Sequence, residues 1–401
     1  MKSSISKHWV EPALLFFIAV CAYGLFIPQL GLFGDDWPHL WVYHMFGLDG
    51  LNQLVGWDRP FSAWVYGLIA PLAGENIWGY HTYLLFLRWV CATFFYFLLE
   101  LIFPNMKPLP FWTAALFLIY PGFRQQPQPL EFILHFSALA LLLGSFWFML
   151  KAIEPSPRRW IFQLIGSLMS LSIFSVEYFI GLELLRPVLI WLLLKRRHND
   201  YGNLVRLTFG LWLPYLMILS LYSWWRFFIF KFPTYKPTFL NQTEFNLSAS
   251  IAGLGQILVE EIRAAVLGAW RQIITLPPTA GINIGYVLLV ASVFLICLVI
   301  LIKRGDTAES ASPVIPLSLG GLAILLAGIP FWITGIPVQL EFPWDRSTLP
   351  FMIGTSLLIS GGVLLVRPIL RNPAIALLIA LSTGMHYQNY VFYQIEWEKL
   401  N

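Results

Sequence analysis

The sequence predicts an all-α, polytopic membrane protein of about eleven transmembrane helices, with a cytoplasmic N-terminus and a long first outside loop carrying interfacial helices. Three observations support this. Charged residues make up only 11% of the chain and the mean hydropathy is +0.70, whereas soluble domains are about a quarter charged. Apolar runs of bilayer-spanning length recur from end to end, bounded by charge, Pro and Gly. Basic and acidic residues sort into alternating connections. The whole chain, 1–401, reads as one transmembrane domain.

The expected spans are 12–33, 80–103, 109–122, 130–150, 160–176, 178–194, 204–224, 282–302, 312–333, 349–366 and 372–386. The first is too long for a signal-peptide core, and Gly31-Leu-Phe-Gly-Asp-Asp36 is a poor cleavage site, so it is expected to remain as an anchor. The runs 109–122 and 160–176 are short, and 160–176 meets 178–194 across almost no loop.

Starting inside and alternating, the inside connections hold Lys2, Lys7, Lys107, Lys151, Arg158, Arg159, Lys195, Arg196, Arg197, Arg206, Lys303, Arg304, Arg367 and Arg371. Most acids, from Asp35 and Asp36 to Glu396 and Glu398, fall outside, while Glu11, Glu154, Asp200, Asp306 and Glu309 are the few inside. This sorting predicts the N-terminus inside and the C-terminus outside. The outside loops 34–79 and 225–281 are long and aromatic, as expected of helices lying in the interface. A third, 334–348, is short and charged. Residues 387–401 read as the start of a further outside segment, an amphipathic helix that stops without a cap, as in a fragment of a longer protein.

Several chemistries are absent. Cys21, Cys91 and Cys297 lie inside apolar runs with no metal spacing, so neither a disulfide nor a zinc site is expected. Neither a phosphate-cradling glycine loop nor a dinucleotide fingerprint occurs, which argues against a nucleotide donor on the cytoplasmic side. No sizeable basic patch exists beyond the short inside loops, which excludes nucleic acid as a partner.

Chemistry-bearing residues concentrate outside. Asp35 and Asp36, in Gly34-Asp-Asp-Trp-Pro-His39, follow the first span directly, where an unpaired charge costs several kcal/mol. Burial and mutual repulsion would raise one of the two pKa values, which suits a general base acting on a sugar hydroxyl. The competing reading is a solvated acidic stop at a helix end, but aromatics and Pro follow rather than a polar linker. His39, three residues after Asp36, offers a divalent cation a ligand on the same helical turn; more often such a His only hydrogen-bonds at the interface. No cofactor is otherwise implied. Arg59, in Gly56-Trp-Asp-Arg-Pro-Phe61, is suited to clamp phosphate oxygens or to pair with Asp58 or Asp36. Glu177 sits at the outer turn between the fifth and sixth spans with no base near it in sequence, whereas Glu183 and Arg186 read as a mutually neutralised pair within the sixth span. Arg124 and Glu131 bound a Pro- and Gln-rich connection of a composition common at sugar sites, though also in turns without function.

An aspartate pair opening a long first outside loop, on a chain of many spans, resembles the GT-C superfamily of integral membrane glycosyltransferases. These enzymes use sugars carried on polyprenyl phosphate, and protein mannosyltransferases and aminoarabinose transferases belong among them. The resemblance covers topology over most of the chain, and its sharp motif is the pair itself. It implies that Asp35 or Asp36 is the catalytic carboxylate and that Arg346, a basic residue late in the chain, meets the lipid phosphate. It also implies that Glu131 is the second acidic residue some members carry in that loop. The expected reaction is inverting transfer from the lipid-linked sugar to a hydroxyl of a glycan, lipid or protein acceptor. It would take place on the outer face of a plasma (inner) membrane, with the bilayer itself as a partner. The alternatives are a non-catalytic transporter or flippase of lipid-linked glycans, with charges near the midplane, and a glycan polymerase or ligase.

Overall fold

The computed structural model describes residues 9–197, 200–230, 255, 257–275, 283–304 and 312–400. Lys2, Lys7, Asp306, Glu309 and much of the loop 225–281 therefore lie outside the described residues. No strand occurs among the described residues.

The helices follow the apolar runs. α1 (Val10–Ala19) continues through a π turn at Val20–Gly24. Next come α2 (Asp36–Gly56), kinked at Gly47, and α3 (Ala63–Ala73), the two helices of the first long loop. Both carry exposed aromatics, among them Trp37, Trp41, Phe46 and Trp64, as interfacial helices do. α4 (Ile77–Ile102) starts on Asn76, whose side chain accepts the N–H of Trp78. α5 (Pro108–Leu118) and α6 (Pro129–Lys151) each begin with Pro at a position that needs no intrahelical N–H. α7 (Arg159–Ser170), α8 (Arg186–Leu194), α9 (Tyr201–Trp224), α10 (Ile284–Arg304), α11 (Val314–Thr334), α12 (Met352–Val363) and α13 (Pro368–Leu400) follow, with a shorter helical stretch over 257–271 between α9 and α10.

Seven of these, built on α1, α4, α6, α9, α10, α11 and α13, are long and apolar enough to cross a membrane. The remaining expected spans take mixed form. The run 178–194 is a 3₁₀ helix, Glu177–Leu185, feeding α8, and the run 349–366 is a 3₁₀ helix, Trp344–Phe351, feeding α12. A 3₁₀ turn rises about 2.0 Å per residue against about 1.5 Å in an α-helix, so each hybrid reaches roughly 30 Å with fewer residues. α5 differs. At 11 residues it extends only about 16 Å, and every residue from Leu109 to Leu118 is buried.

The core is α4 against α6, with α5 lodged between α4 and α12. α9 and α10 sit at the periphery and present Phe209, Leu213, Met217, Leu288 and Leu295 outward, as lipid-facing helices do.

α5 stops inside the bundle, and its last carbonyls find local donors. Leu118 O accepts from Tyr23 Oη at 2.9 Å and Arg88 Nε at 2.8 Å; Ile119 O accepts from Ser382 Oγ at 2.5 Å and meets His386 Nε2 at 3.2 Å. The connection to α6 then runs buried, contrary to the polar, sugar-facing loop that its composition suggests. Gln125 donates to Asp345 and to the Pro343 carbonyl, Gln126 accepts from Arg88, and Gln128 donates to Tyr393. Asp345, itself buried, also accepts the N–H of Arg124. α13 continues without a break from the last expected span through 387–400, where the sequence reads as an amphipathic helix, and Trp397 packs on Phe33 and Trp37.

Close packing sets one testable constraint. A Cβ at Gly181, in the 3₁₀ helix, would lie 1.8 Å from the carbonyl oxygen of Leu326 on α11, whereas one at Gly210 on α9 meets nothing within 4 Å. Gly181→Ala is expected to lower the thermal midpoint, costing about 1–3 kcal/mol through overpacking. Gly210→Ala should hold or raise it through better helix propensity. Equal midpoints for the two variants in detergent-solubilised protein would contradict the packing.

Candidate functional site

The connections that sequence analysis assigns to the outside meet at one end of the bundle. At the other end, arginines cap helix termini: Arg196 donates to the carbonyls of Leu101 and Ile102, Arg197 to that of Ile153, and Arg371 to those of Leu364 and Val366.

The aspartate pair is split by the backbone. Gly34 has φ +53°, in the left-handed region that favours glycine, and a Cβ there would come 3.1 Å from Gln128 Oε1. The turn leaves Asp35 exposed at the start of α2 and sends Asp36 inward, with no exposed surface. Asp36 Oδ1 accepts the N–H of Glu131 at 3.1 Å, at the N-terminus of α6, where a helix favours negative charge. Its Oδ2 is buried with no hydrogen-bond partner. Burial pushes the Asp36 carboxyl well above the usual carboxylate range. The amides of Glu131, Phe33 and Leu130 pull the other way, and the neighbouring Glu131 charge adds to the rise.

Two ion pairs lie alongside. Arg59 reaches across 118 positions of sequence to Glu177, with Nη2–Oε1 at 3.1 Å and Nε–Oε2 at 3.4 Å. This is a fork on a carboxylate rather than the intraloop pair with Asp58 or Asp36 that adjacency suggests. The α2–α3 corner is docked for it: Ser175 Oγ donates to the Phe61 carbonyl at 2.9 Å and accepts from Trp64 Nε1 at 3.0 Å. Burial works against the Arg59 charge, but Glu177, Tyr178 and Glu131 outweigh it and hold the guanidinium above its ordinary value. Arg346 Nη1 faces Glu131 Oε1 at 3.9 Å. The four side chains of the two pairs are each 14–23% exposed, so both pairs are reachable from solvent.

Asp36, Arg59, Glu131, Glu177 and Arg346 thus share one neighbourhood. Arg124 does not join it: its guanidinium donates to the Leu340 carbonyl at 2.8 Å, tying two connections together. His39 turns Nδ1 to the Asp35 carbonyl at 2.5 Å and stacks on Tyr66. Among the described residues, no three His, Cys, Asp or Glu side chains converge as a metal-ligand group.

The structure adds three residues that the sequence reading passed over. Tyr178 lies within electrostatic reach of both arginines and both glutamates. His135, one turn beyond Glu131, sets its ring against Tyr178 at 5.1 Å and leaves Nε2 buried without a partner. Tyr66 donates to the Leu130 carbonyl beside Asp36 and Glu131. The Glu131-x-x-x-His135 spacing, at i,i+4 on a helix, was a readable pointer to one of them.

The arrangement combines a buried carboxyl with one free oxygen, two guanidiniums and an apolar bundle. It can accept a proton and stabilise an anion in a setting of low dielectric. Compared with protein-family models, curated proteins and solved structures, the chain matches none.

Proposed function

We propose that the chain is a membrane glycosyltransferase of GT-C type, moving a sugar from a polyprenyl-phosphate donor to an acceptor hydroxyl on the extracytoplasmic face. The observation that carries this reading is the unpartnered Oδ2 of a wholly buried Asp36 beside two arginine–carboxylate pairs. Asp36 takes the hydroxyl proton, the acceptor oxygen bonds to the anomeric carbon, and the bond from that carbon to the phosphate oxygen breaks. Polyprenyl phosphate leaves with the bonding electrons, and one displacement inverts the carbon. Because Asp36 has no exposed surface, acceptor binding must open a path to it.

Arg346 is the better seat for the phosphate. Its contact with Glu131, at 3.9 Å, is longer than the fork that holds Arg59 on Glu177, so Glu131 is the carboxylate an incoming anion displaces more readily. In this reading the chain crosses the membrane about eleven times, adding to the seven long helices the two hybrids, α7 with its 3₁₀ turn Leu171–Phe174, and α5 with the buried connection that follows it, with the acidic end outside by the positive-inside rule. The charges a transporter would offer its cargo are engaged within the protein. Arg88 bonds Leu118 O and Gln126, and Arg186 grips Glu183 at 2.5 and 2.6 Å while stacking over Phe146 and Tyr215.

The test is release of polyprenyl phosphate, with radiolabelled sugar transfer, from a panel of polyprenyl-phosphate sugars by purified protein. Arg346→Ala is expected to raise the donor KM by about 10–100-fold, the worth of a charge-assisted contact. Arg59→Ala should lower the midpoint as well, because Glu177 is left unpaired, and Arg59→Ala with Glu177→Ala should restore it. If wild type binds every donor in the panel yet leaves all of them intact, the transferase reading fails and a carrier replaces it.

A further inference from the structure

A cleft of about 730 Å³ opens at the end of the bundle opposite the two ion pairs, where α6 turns into α7 and α8 ends. Its walls include Ile153, Glu154, Ser156, Arg159, Trp160 and Arg197. Arg197 is fixed against one wall, its Nη1 donating to the Ile153 carbonyl at 3.0 Å, which uses a single N–H of its fork. Arg159 comes from the first turn of α7 and is exposed. Among the described residues no carboxylate pairs with either arginine. The acid in the cleft, Glu154, is already neutralised by Lys151 Nζ at 2.9 Å. Ser156 Oγ accepts the N–H of Arg158 at 3.2 Å, so its own O–H is left to donate. The N-terminus of α7 adds the positive end of a 12-residue helix. These donors together favour an anion with several acceptor oxygens.

The surface beside the cleft says where that anion comes from. Trp160, Leu164, Leu168 and Leu171 follow one another at helical spacing along α7 and its 3₁₀ turn, and all four are exposed. Such a stripe faces acyl chains in a membrane. Trp160 heads the stripe and also lines the cleft, and Trp belongs at the boundary between headgroups and hydrocarbon. The cleft therefore opens at headgroup depth, with the lipid-facing side of α7 running away from it.

We propose that this cleft binds the phosphate of an anionic phospholipid from the leaflet at that end. The phosphate oxygens take the forks of Arg159 and Arg197, with Ser156 as a further donor, and the acyl chains lie along Leu164 and Leu168. A zwitterionic lipid brings an ammonium into the same basic surroundings, so the preference is for a headgroup of net negative charge. Bound there, the headgroup ties the α6–α7 connection to the end of α8, two parts already bridged by the bond from Arg197 to Ile153. The inference is independent of the transferase reading, since neither Asp36 nor the two ion pairs take part in it.

Native mass spectrometry of the full chain, delipidated in detergent and titrated with phosphatidylglycerol or phosphatidylcholine, tests this. One phosphatidylglycerol is expected to bind about tenfold more tightly than phosphatidylcholine, with a preference that shrinks as salt is added. Arg159→Gln and Arg197→Gln should each remove most of that preference. Lys303→Gln combined with Arg367→Gln, which removes positive charge at exposed positions outside the cleft, should leave it unchanged. Arg159→Gln alters an exposed side chain, so it remains decisive where loss of the Ile153 contact unsettles Arg197→Gln. Inorganic phosphate at the same concentration should not displace the lipid, because it gains nothing from the apolar stripe. Displacement by inorganic phosphate would assign the cleft to a free anion. Equal binding of the two lipids, or an equal loss in the control variant, would mean a diffuse basic surface without a site. Each of these results overturns the proposal.

Discussion

Asp36→Asn is expected to reduce sugar transfer by about 10²–10⁴-fold, the usual worth of a positioned general base, while Asp35→Asn stays within a few-fold of wild type. The difference follows from burial: Asp36 is enclosed and bonded to the amide of Glu131, whereas Asp35 faces solvent. Asn keeps an oxygen for that amide, so the fold should survive. Its stability has a definite pH dependence. The folded Asp36 carboxyl sits well above the usual range because it is buried. Its contribution to stability is therefore complete below the unfolded value of about 3.9 and is lost as pH rises through the folded value. The Asn variant has no such loss, so it should melt higher than wild type on the alkaline side and level with it in acid. Activity of the wild type should climb over that same interval, as the base ionises. Transfer assays and thermal midpoints across pH, on all three proteins, check both statements. Loss of activity in Asp35→Asn with retention in Asp36→Asn would reverse the assignment.

Arg88→Met is expected to cost about 3–5 kcal/mol and to reduce the yield of folded protein sharply. Arg88 is fully buried in α4 and donates to Leu118 O and Gln126 Oε1, with its guanidinium 4.3 Å from the Tyr23 ring. Among the described residues no carboxylate bonds to it; its charge is answered by the negative end of α5 and by aromatic faces. Removing it leaves Gln126 Oε1 unmet at about 1–3 kcal/mol, leaves Leu118 O to Tyr23 alone, and empties the space its guanidinium fills against the aromatic rings. Arg88→Lys should recover only part of the loss, because one ammonium cannot span both acceptors. Thermal unfolding of the two variants decides the matter. A Met variant as stable as wild type would mean that the end of α5 is held by Tyr23, Ser382 and His386 alone.

Much of the architecture was legible because hydropathy reports burial in lipid directly. The apolar runs became helices, and the aromatic first loop became α2 and α3. The 3₁₀ stretches were not legible, since hydropathy is blind to rise per residue. The connection 120–128 was misread because its glutamines signal exposure, while here they bond Asp345, Arg88 and Tyr393 inside the bundle. Asp36, Arg59, Glu131, Glu177 and Arg346 stood out as charges in apolar surroundings, but their partners did not. Arg59 meets Glu177 across 118 positions, and no local pattern encodes such a distance. Nor could the two aspartates be told apart before the turn at Gly34 and the start of α6 were in place.

The carboxylates that occupy Arg59 and Arg346 in the resting chain bear on turnover as well as on binding. On the proposed reading each works as a resident competitor. A departing phosphate leaves no bare guanidinium behind, because Glu177 or Glu131 returns as it goes. Such exchange keeps the donor from being held too tightly and speeds the exit of the lipid product, the step that limits many well-evolved catalysts. A glutamine at position 131 would then make the enzyme grip its spent carrier longer and cycle more slowly, even with the chemical step intact.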